Sequence, residues 1–244
     1  MNNTNKVSDQ NRTQYLVCEQ ESTYALLMAA AGMMGAYTFN LRGGVFCNAQ
    51  TANFVMMAVD FGRGHWVSGC YYFIPIFAYF SGAFLSEILP VPVKRPGFLR
   101  WDTYLVGFEM IVLFLAGLIP LSWPNHIVQV MINFIASMQY NTFRQANGIP
   151  MATTFCTNHL RQMGIAFAKM VHKRDWTLLR RERVHAIMLI CFFSGGVVLT
   201  CFCKLLNEKS IWLAIILLGI VFGKMAHADL TTEHALLKYK PSGH

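Results

Sequence analysis

The sequence predicts an all-α polytopic membrane protein: six transmembrane helices plus two broken or re-entrant helices, arranged as a 3+3 inverted repeat. Three observations carry that prediction. Only 13% of the 244 residues are charged while 55% are hydrophobic, about half the charged fraction of a soluble domain. The apolar residues gather into eight segments, about 23–42, 48–61, 66–88, 101–121, 126–145, 152–170, 184–206 and 210–228, several of them near the ~20 residues that cross a bilayer core. Two of these, the second and the sixth, are polar-spotted and follow glycine-containing breaks, Gly43-Gly44 and Gly148-Ile149-Pro150.

Taken in order, residues 1–22 are polar, with Lys6 and Arg12, and lack the apolar core of a signal peptide. They read as a disordered cytoplasmic tail. Residues 23–121 form a first membrane repeat and 122–228 a second, followed by a cytoplasmic tail over 229–244. Gly32, Gly35 and Ala36 in the first segment, with Gly69 and Gly82 in the third, allow close helix approach. The tail stretch HADLTTEH places His227 and His234 seven apart without a zinc spacing, and reads as a solvated helix. Seven scattered cysteines with no C-x-x-C pattern read as small buried hydrophobes rather than a metal site or disulfides.

Charge sets the topology. Either all eight segments cross, or six cross and segments 48–61 and 152–170 dip in without spanning. With six crossings, one side collects Lys6, Arg12, Lys94, Arg95, Arg100, Lys173, Arg174, Arg180, Arg181, Arg183, Lys238 and Lys240, and the other only Arg42, Arg63, Lys204 and Lys209. The positive-inside rule then favours six spans in an inner (plasma) membrane with both termini cytoplasmic. The basic run HKRDWTLLRRERV, with Trp176, reads as a loop held to anionic lipid. Net charge of +8 is accounted for by those loops, not by nucleic acid.

The two unusual segments resemble each other. GMMGAYTFNLRGGVFCNAQTANFVM (32–56) and SMQYNTFRQANGIPMATTFCTNHLRQ (137–162) each hold a polar-spotted helix end, a break, then a threonine followed by an amide or imidazole. With one inserted residue, Gly43 pairs with Gly148, Thr51 with Thr157 and Asn53 with His159. Interrupted helices in corresponding places of inverted halves point to a central transporter site.

At these residues the chain resembles the YoaK-type family of bacterial integral membrane proteins, a domain of unknown function with six transmembrane helices. The family pattern carries G-x-x-D-A, G-G and T-G-N in its first half, and Q-N-A, a glycine and T-T-x-x-T-G in its second. Gly32, Ala36, Gly43-Gly44 and Thr51-Ala52-Asn53 occupy the first set here. Met138-Gln139, Gly148, Thr153-Thr154 and Thr157-Asn158 occupy the second. Gly35 stands where the family has Asp, and Ala52 and Asn158 replace glycines. The resemblance implies a six-span inner-membrane protein and supplies no substrate.

Polar groups in hydrocarbon must find partners or line a wet cavity. Asn48, Gln50, Thr51 and Asn53, with Gln139, Asn141, Thr157, Asn158 and His159, are the expected substrate-binding residues. Asn48 equally reads as a cap for the helix that restarts after the first break, and Gln139 and Asn141 as inter-helix bridges. Glu109, eight residues into a span that starts near Trp101, is the candidate coupling group or a salt-bridge partner for Arg161 or Arg144. Arg42 and Arg144, just before the breaks, either snorkel to headgroups or flank the site. Arg161 lies inside the sixth segment, where a charge faces a cavity or a partner.

No phosphate-binding loop, dinucleotide fingerprint, H-E-x-x-H or nucleophile elbow occurs, so no catalytic residue, metal or cofactor is expected. The reading that follows is a small secondary transporter or permease for an anionic or small polar metabolite. A lipid-handling enzyme and a structural or assembly protein are the alternatives. Expected partners are membrane lipids and a small-molecule or ion substrate; a homodimer is left open.

Overall fold

The computed structural model describes residues 15–89, 98–173 and 179–237. Lys6, Arg12, Lys94, Arg95, Arg174, Trp176, Lys238 and Lys240, on which much of the charge argument rests, lie outside those residues. The helices are α1 (Glu21–Leu41), α2 (Gln50–Gly62), α3 (Trp66–Tyr71), α4 (Phe73–Ile88), α5 (Trp101–Leu118), α6 (Asn125–Thr142), α7 (Thr157–Lys173), α8 (Leu179–Leu206) and α9 (Trp212–Leu230). Two short strands, β1 (Gln145–Ala146) and β2 (Ile149–Pro150), pair antiparallel.

Local chemistry sets the boundaries. α1 ends where Gly43 and Gly44 take φ +83° and +74°, values that suit glycine. Pro120 holds Ile119 extended, at φ −80° and ψ 116°, and so closes α5. Asn147 (φ 46°) and Gly148 (φ 75°) turn the β hairpin, the left-handed pair that a two-residue hairpin loop demands. Asn207, at φ 47°, bends the chain between α8 and α9, and both of those helices pack on α1.

Among the described residues, three helical stretches are long and apolar enough to cross a bilayer: Trp66–Ile88, Trp101–Leu118 and the bent Leu179–Leu230. α1 and α6 are more polar because the other helices shield them. α1 buries Thr23, Tyr24 and Thr38, and α6 buries Gln129, Asn133, Ser137 and Gln139. The lipid-type surface is elsewhere. Phe73, Phe77, Phe80 and Phe84 run at helical spacing down the exposed side of α4, while Pro75, Ala78, Gly82 and Ser86 face inward.

The closest pairings are α1 with α8 and α4 with α6, followed by α5 with α9, α1 with α9, α7 with α8 and α5 with α6. The first two depend on glycine. A Cβ at Gly195 of α8 would lie 2.1 Å from the Ala29 carbonyl oxygen of α1, and one at Gly82 of α4 would lie 2.2 Å from the Phe134 carbonyl oxygen of α6.

Side-chain bonds sort the helix ends into two groups. At one end Arg180 meets Glu21 (3.4 Å), Lys224 donates to Ser22 (2.9 Å), Trp101 donates to Thr142 (3.2 Å) and Asn141 donates to Ser86 (2.8 Å). At the other, Tyr37 donates to the Glu208 carbonyl (3.1 Å) and Trp212 to that of Phe114 (3.2 Å). The first end also holds a buried charge cluster. Arg100 donates to Asp229 at 3.1 Å and lies 3.5 Å from Glu233, whose other oxygen accepts from the Val17 N–H. The stretch read as a solvated tail helix thus buries Asp229, and residues 16–19, read as tail, are pinned against it.

Candidate functional site

The two breaks differ in build, a glycine turn in the first and a β hairpin in the second, but share one side-chain contact. After Arg42 the chain turns through two left-handed glycines and runs inward, so that the Asn48 amide donates to the Ala31 carbonyl at 3.3 Å. Ala31 is eleven residues before Arg42, about 16 Å along the helix. α2 begins from there. Asn48 does not cap it: the residue before α2 is Ala49, and no side chain caps that end. Asn48 instead fills the room that Gly35 leaves, where a Cβ would sit 3.0 Å from the amide nitrogen. An acidic side chain at position 35, as the resembled pattern has it, would compete for the same space.

Asn53 then reaches back seven residues. Its amide nitrogen donates to the Phe46 carbonyl at 2.8 Å and its oxygen accepts from the Phe46 N–H at 3.2 Å. His159, the residue that the sequence pattern pairs with it, makes one such contact: its Nε2 lies 2.7 Å from the Ala152 carbonyl, also seven residues back. Each side chain staples the entry loop to the helix that follows it.

A polar chain extends from the first break into α6. Gln50 donates to Asn133 at 2.8 Å and accepts from Asn53 at 3.0 Å; Asn133 donates to the Gln129 carbonyl at 2.7 Å; and Gln129 donates to the Arg42 carbonyl. Arg42 is fully buried. Its guanidinium donates to the Tyr37 hydroxyl and to the carbonyls of Ile119 and Pro120, clamping the α5–α6 turn. Asn125, Gln129 and Asn133 recur every fourth residue along α6, a stripe that the sequence itself displays.

The remaining candidates fall into separate places. Thr51 and Thr157 are exposed. Asn141 and Arg144 meet at the end of α6, where Arg144 also pairs with Glu87 at 3.0 Å. Arg161 is exposed and donates to Asn158 at 3.0 Å. Gln139 is buried, and its side-chain amide has no partner among the described residues. Glu109 is fully buried on α5, and both of its carboxyl oxygens lack a partner among the described residues. His159 lies 2.9 Å, Nδ1 to Nδ1, from His185 at the start of α8. No motif marks His185 in the sequence, where it directly follows a basic loop.

A groove of about 800 Å³ is lined by α1, α8 and the entry loops of both breaks. Gly32, Gly35, Ala36 and Gly196 form its floor between Phe39, Phe192, Phe193 and Val197. Phe46 and Asn48 come from the first break and Cys156 from the second. The exposed apolar side chains of Phe39, Phe193 and Val197 place its mouth on the lipid-type surface. Its polar groups are few. Asn40 donates to the Ala36 carbonyl and to Thr200 at 2.9 and 3.2 Å, and Asn48 is the one residue of the expected lining that takes part.

No curated protein and no solved structure matches the chain. One family model does, described as protein of unknown function (DUF1275), and it covers residues 23–223. That span takes in both breaks, the groove and most of α9. The chain therefore belongs to this family, to which YoaK-type proteins belong.

Proposed function

We propose that the protein is a small permease of the plasma membrane, built as two inverted three-span halves with both termini cytoplasmic. Its substrate is an amphipathic molecule that enters sideways from the lipid leaflet. Grouping of the helix ends supports six crossings in alternating directions by α1, α3–α4, α5, α6, α8 and α9. Contacts among the six spanning helices support the repeat, whereas α7 packs on α8 more extensively than α2 does on α4. Exchanging α1 with α6, α4 with α8 and α5 with α9 turns the α1–α8 pair into α6–α4, the α1–α9 pair into α6–α5, and leaves α5–α9 as it was. The exchange also carries Gly195 against Ala29 onto Gly82 against Phe134.

The observation that carries the functional reading is the groove, because both interrupted segments contribute to it. Ligand sites at paired helix breaks near a pseudo-two-fold axis are the architecture of secondary transporters. Chemistry of the lining chooses the substrate. A small polar solute would meet mostly phenylalanine and glycine, whereas an acyl or other apolar body fits, with Asn48, Asn40 and Thr200 for one polar group. Lateral openness favours a second reading, lipid handling without translocation.

Protein in liposomes, given a fluorescent-tailed phospholipid in both leaflets, separates the two. Label in the inner leaflet should become accessible to an external quencher. Thr200→Phe, which narrows the groove, should slow that exchange. A photoactivatable fatty acid that cross-links in the groove without any exchange of label would favour lipid handling. Neither cross-linking nor exchange would contradict both readings.

A further inference from the structure

We propose that His159 and His185 form a proton-binding site that holds one added proton, taken up at His185 Nε2. Through it the second break, unlike the first, responds to protonation. Both side chains are fully buried, and their contacts fix the tautomers. His159 Nε2, 2.7 Å from the Ala152 carbonyl, must carry a hydrogen, because a carbonyl can only accept. Neutral His159 then presents a bare Nδ1. The 2.9 Å contact between the two Nδ1 atoms requires the hydrogen to come from His185. That leaves His185 Nε2 as a bare acceptor, buried and without a partner among the described residues.

A proton arriving at His185 Nε2 breaks no existing hydrogen bond. His185 becomes an imidazolium that still donates from Nδ1 to His159. Its Nδ1 hydrogen can then pass across the 2.9 Å contact. His185 becomes neutral with its hydrogen on Nε2, and the charge rests on His159, still bonded to Ala152. A second proton would place hydrogens on both facing Nδ1 atoms and break the contact, so the pair stores one. Charge on His159 strengthens its hold on the Ala152 carbonyl, since a charge-assisted hydrogen bond is about twice as strong as a neutral one. Asn53, which makes the same staple in the first half, does not titrate.

The surroundings are mixed in sign. On α8, Arg181 and Glu182 share the face of His185, and Arg181 donates to Gln162 of α7 at 3.0 Å. On α7 the nearest charge is Arg161, exposed and bonded to Asn158. α1 brings Glu21, which pairs with Arg180. Arg181 Nε and Glu182 Oε2 are themselves buried without partners among the described residues, on the first turns of α8, just before His185.

Two measurements on the full chain in lipid nanodiscs test this. Nitrogen NMR of the histidines should show one imidazole pair coupled through a hydrogen bond, with both rings shifting together in a single one-proton step on acidification. Two independent steps, or no coupled pair, would overturn the proposal. Cys156, half-buried between Ala152 and His159, reports on the loop. Its maleimide labelling rate relative to that of exposed Cys70 in the same sample, a ratio that cancels the common loss of thiolate at lower pH, is read by peptide mass spectrometry and should change several-fold with acidification in the native protein and not in His185→Gln. An equal response in the variant would overturn the proposal, and the NMR result on the native chain decides the matter if the variant fails to fold. Neither readout involves a transported solute, so each stands or falls apart from the permease reading.

Discussion

Gly82→Ala and Gly195→Ala should each lower the stability of the purified protein by about 1–3 kcal/mol, toward the upper end of what overpacking costs. Both substitutions drive a methyl group to about 2 Å from a backbone carbonyl oxygen on the neighbouring helix. Backbone does not yield as a flexible side chain does, so the helices must separate. The α1–α8 and α4–α6 pairings are the closest in the bundle, and loss of either reaches far. Gly164→Ala and Gly223→Ala serve as controls. Neither position has an atom within 4 Å of the added Cβ, and both are helical. An alanine there should be neutral or stabilising by less than about 1 kcal/mol. Thermal midpoints in detergent measure all four. Equal behaviour of the two pairs would contradict this account of helix packing.

Asp229→Ala should cost about 3–5 kcal/mol, the usual consequence of leaving a buried charge unpaired. Asp229 accepts from the Arg100 N–H at 3.0 Å, from its guanidinium at 3.1 Å and from the Thr103 hydroxyl at 2.6 Å. All three side chains are buried. Arg100 also donates to the Leu236 carbonyl at 3.1 Å, so the cluster ties the start of α5 to the chain beyond α9. Residues 16–19 join it through Glu233, whose carboxyl is pushed up by burial against the opposing pull of the Val17 N–H and Arg100. Limited proteolysis near Leu16 should therefore speed up in the Asp229→Ala variant. A triple change to Arg100→Met, Asp229→Leu and Glu233→Gln should recover much of the stability, because removing the whole charge cluster removes the desolvation cost as well.

Much of the helical plan was legible because hydrocarbon solvent imposes a length and a composition. Both breaks were legible too, since glycine marks left-handed backbone at Gly43, Gly44 and Gly148. Other features depend on which residues meet, and the order of residues alone does not fix that. Arg42 next to a break reads as a headgroup contact; only the turn at Ile119 and Pro120 makes it a buried clamp. His185 carries no mark in the sequence; only its contact with His159 of another helix singles it out. Asp229 and Glu233 look solvated in a short polar tail, and Arg100, more than a hundred residues away, draws them inward. Asn48 has the chemistry of a cap, yet the space left by Gly35 gives it a different partner.

The central claim, six crossings with the two halves inverted, is tested most directly by labelling Phe98→Cys and Trp123→Cys in intact cells with an impermeant maleimide. Phe98 lies before α5 and Trp123 after it, and both are exposed. Label found by mass spectrometry at position 123 from outside, and at position 98 only after the cells are opened, is the predicted result. The reverse pattern, which eight crossings would give, or labelling of both positions from the same side would contradict it.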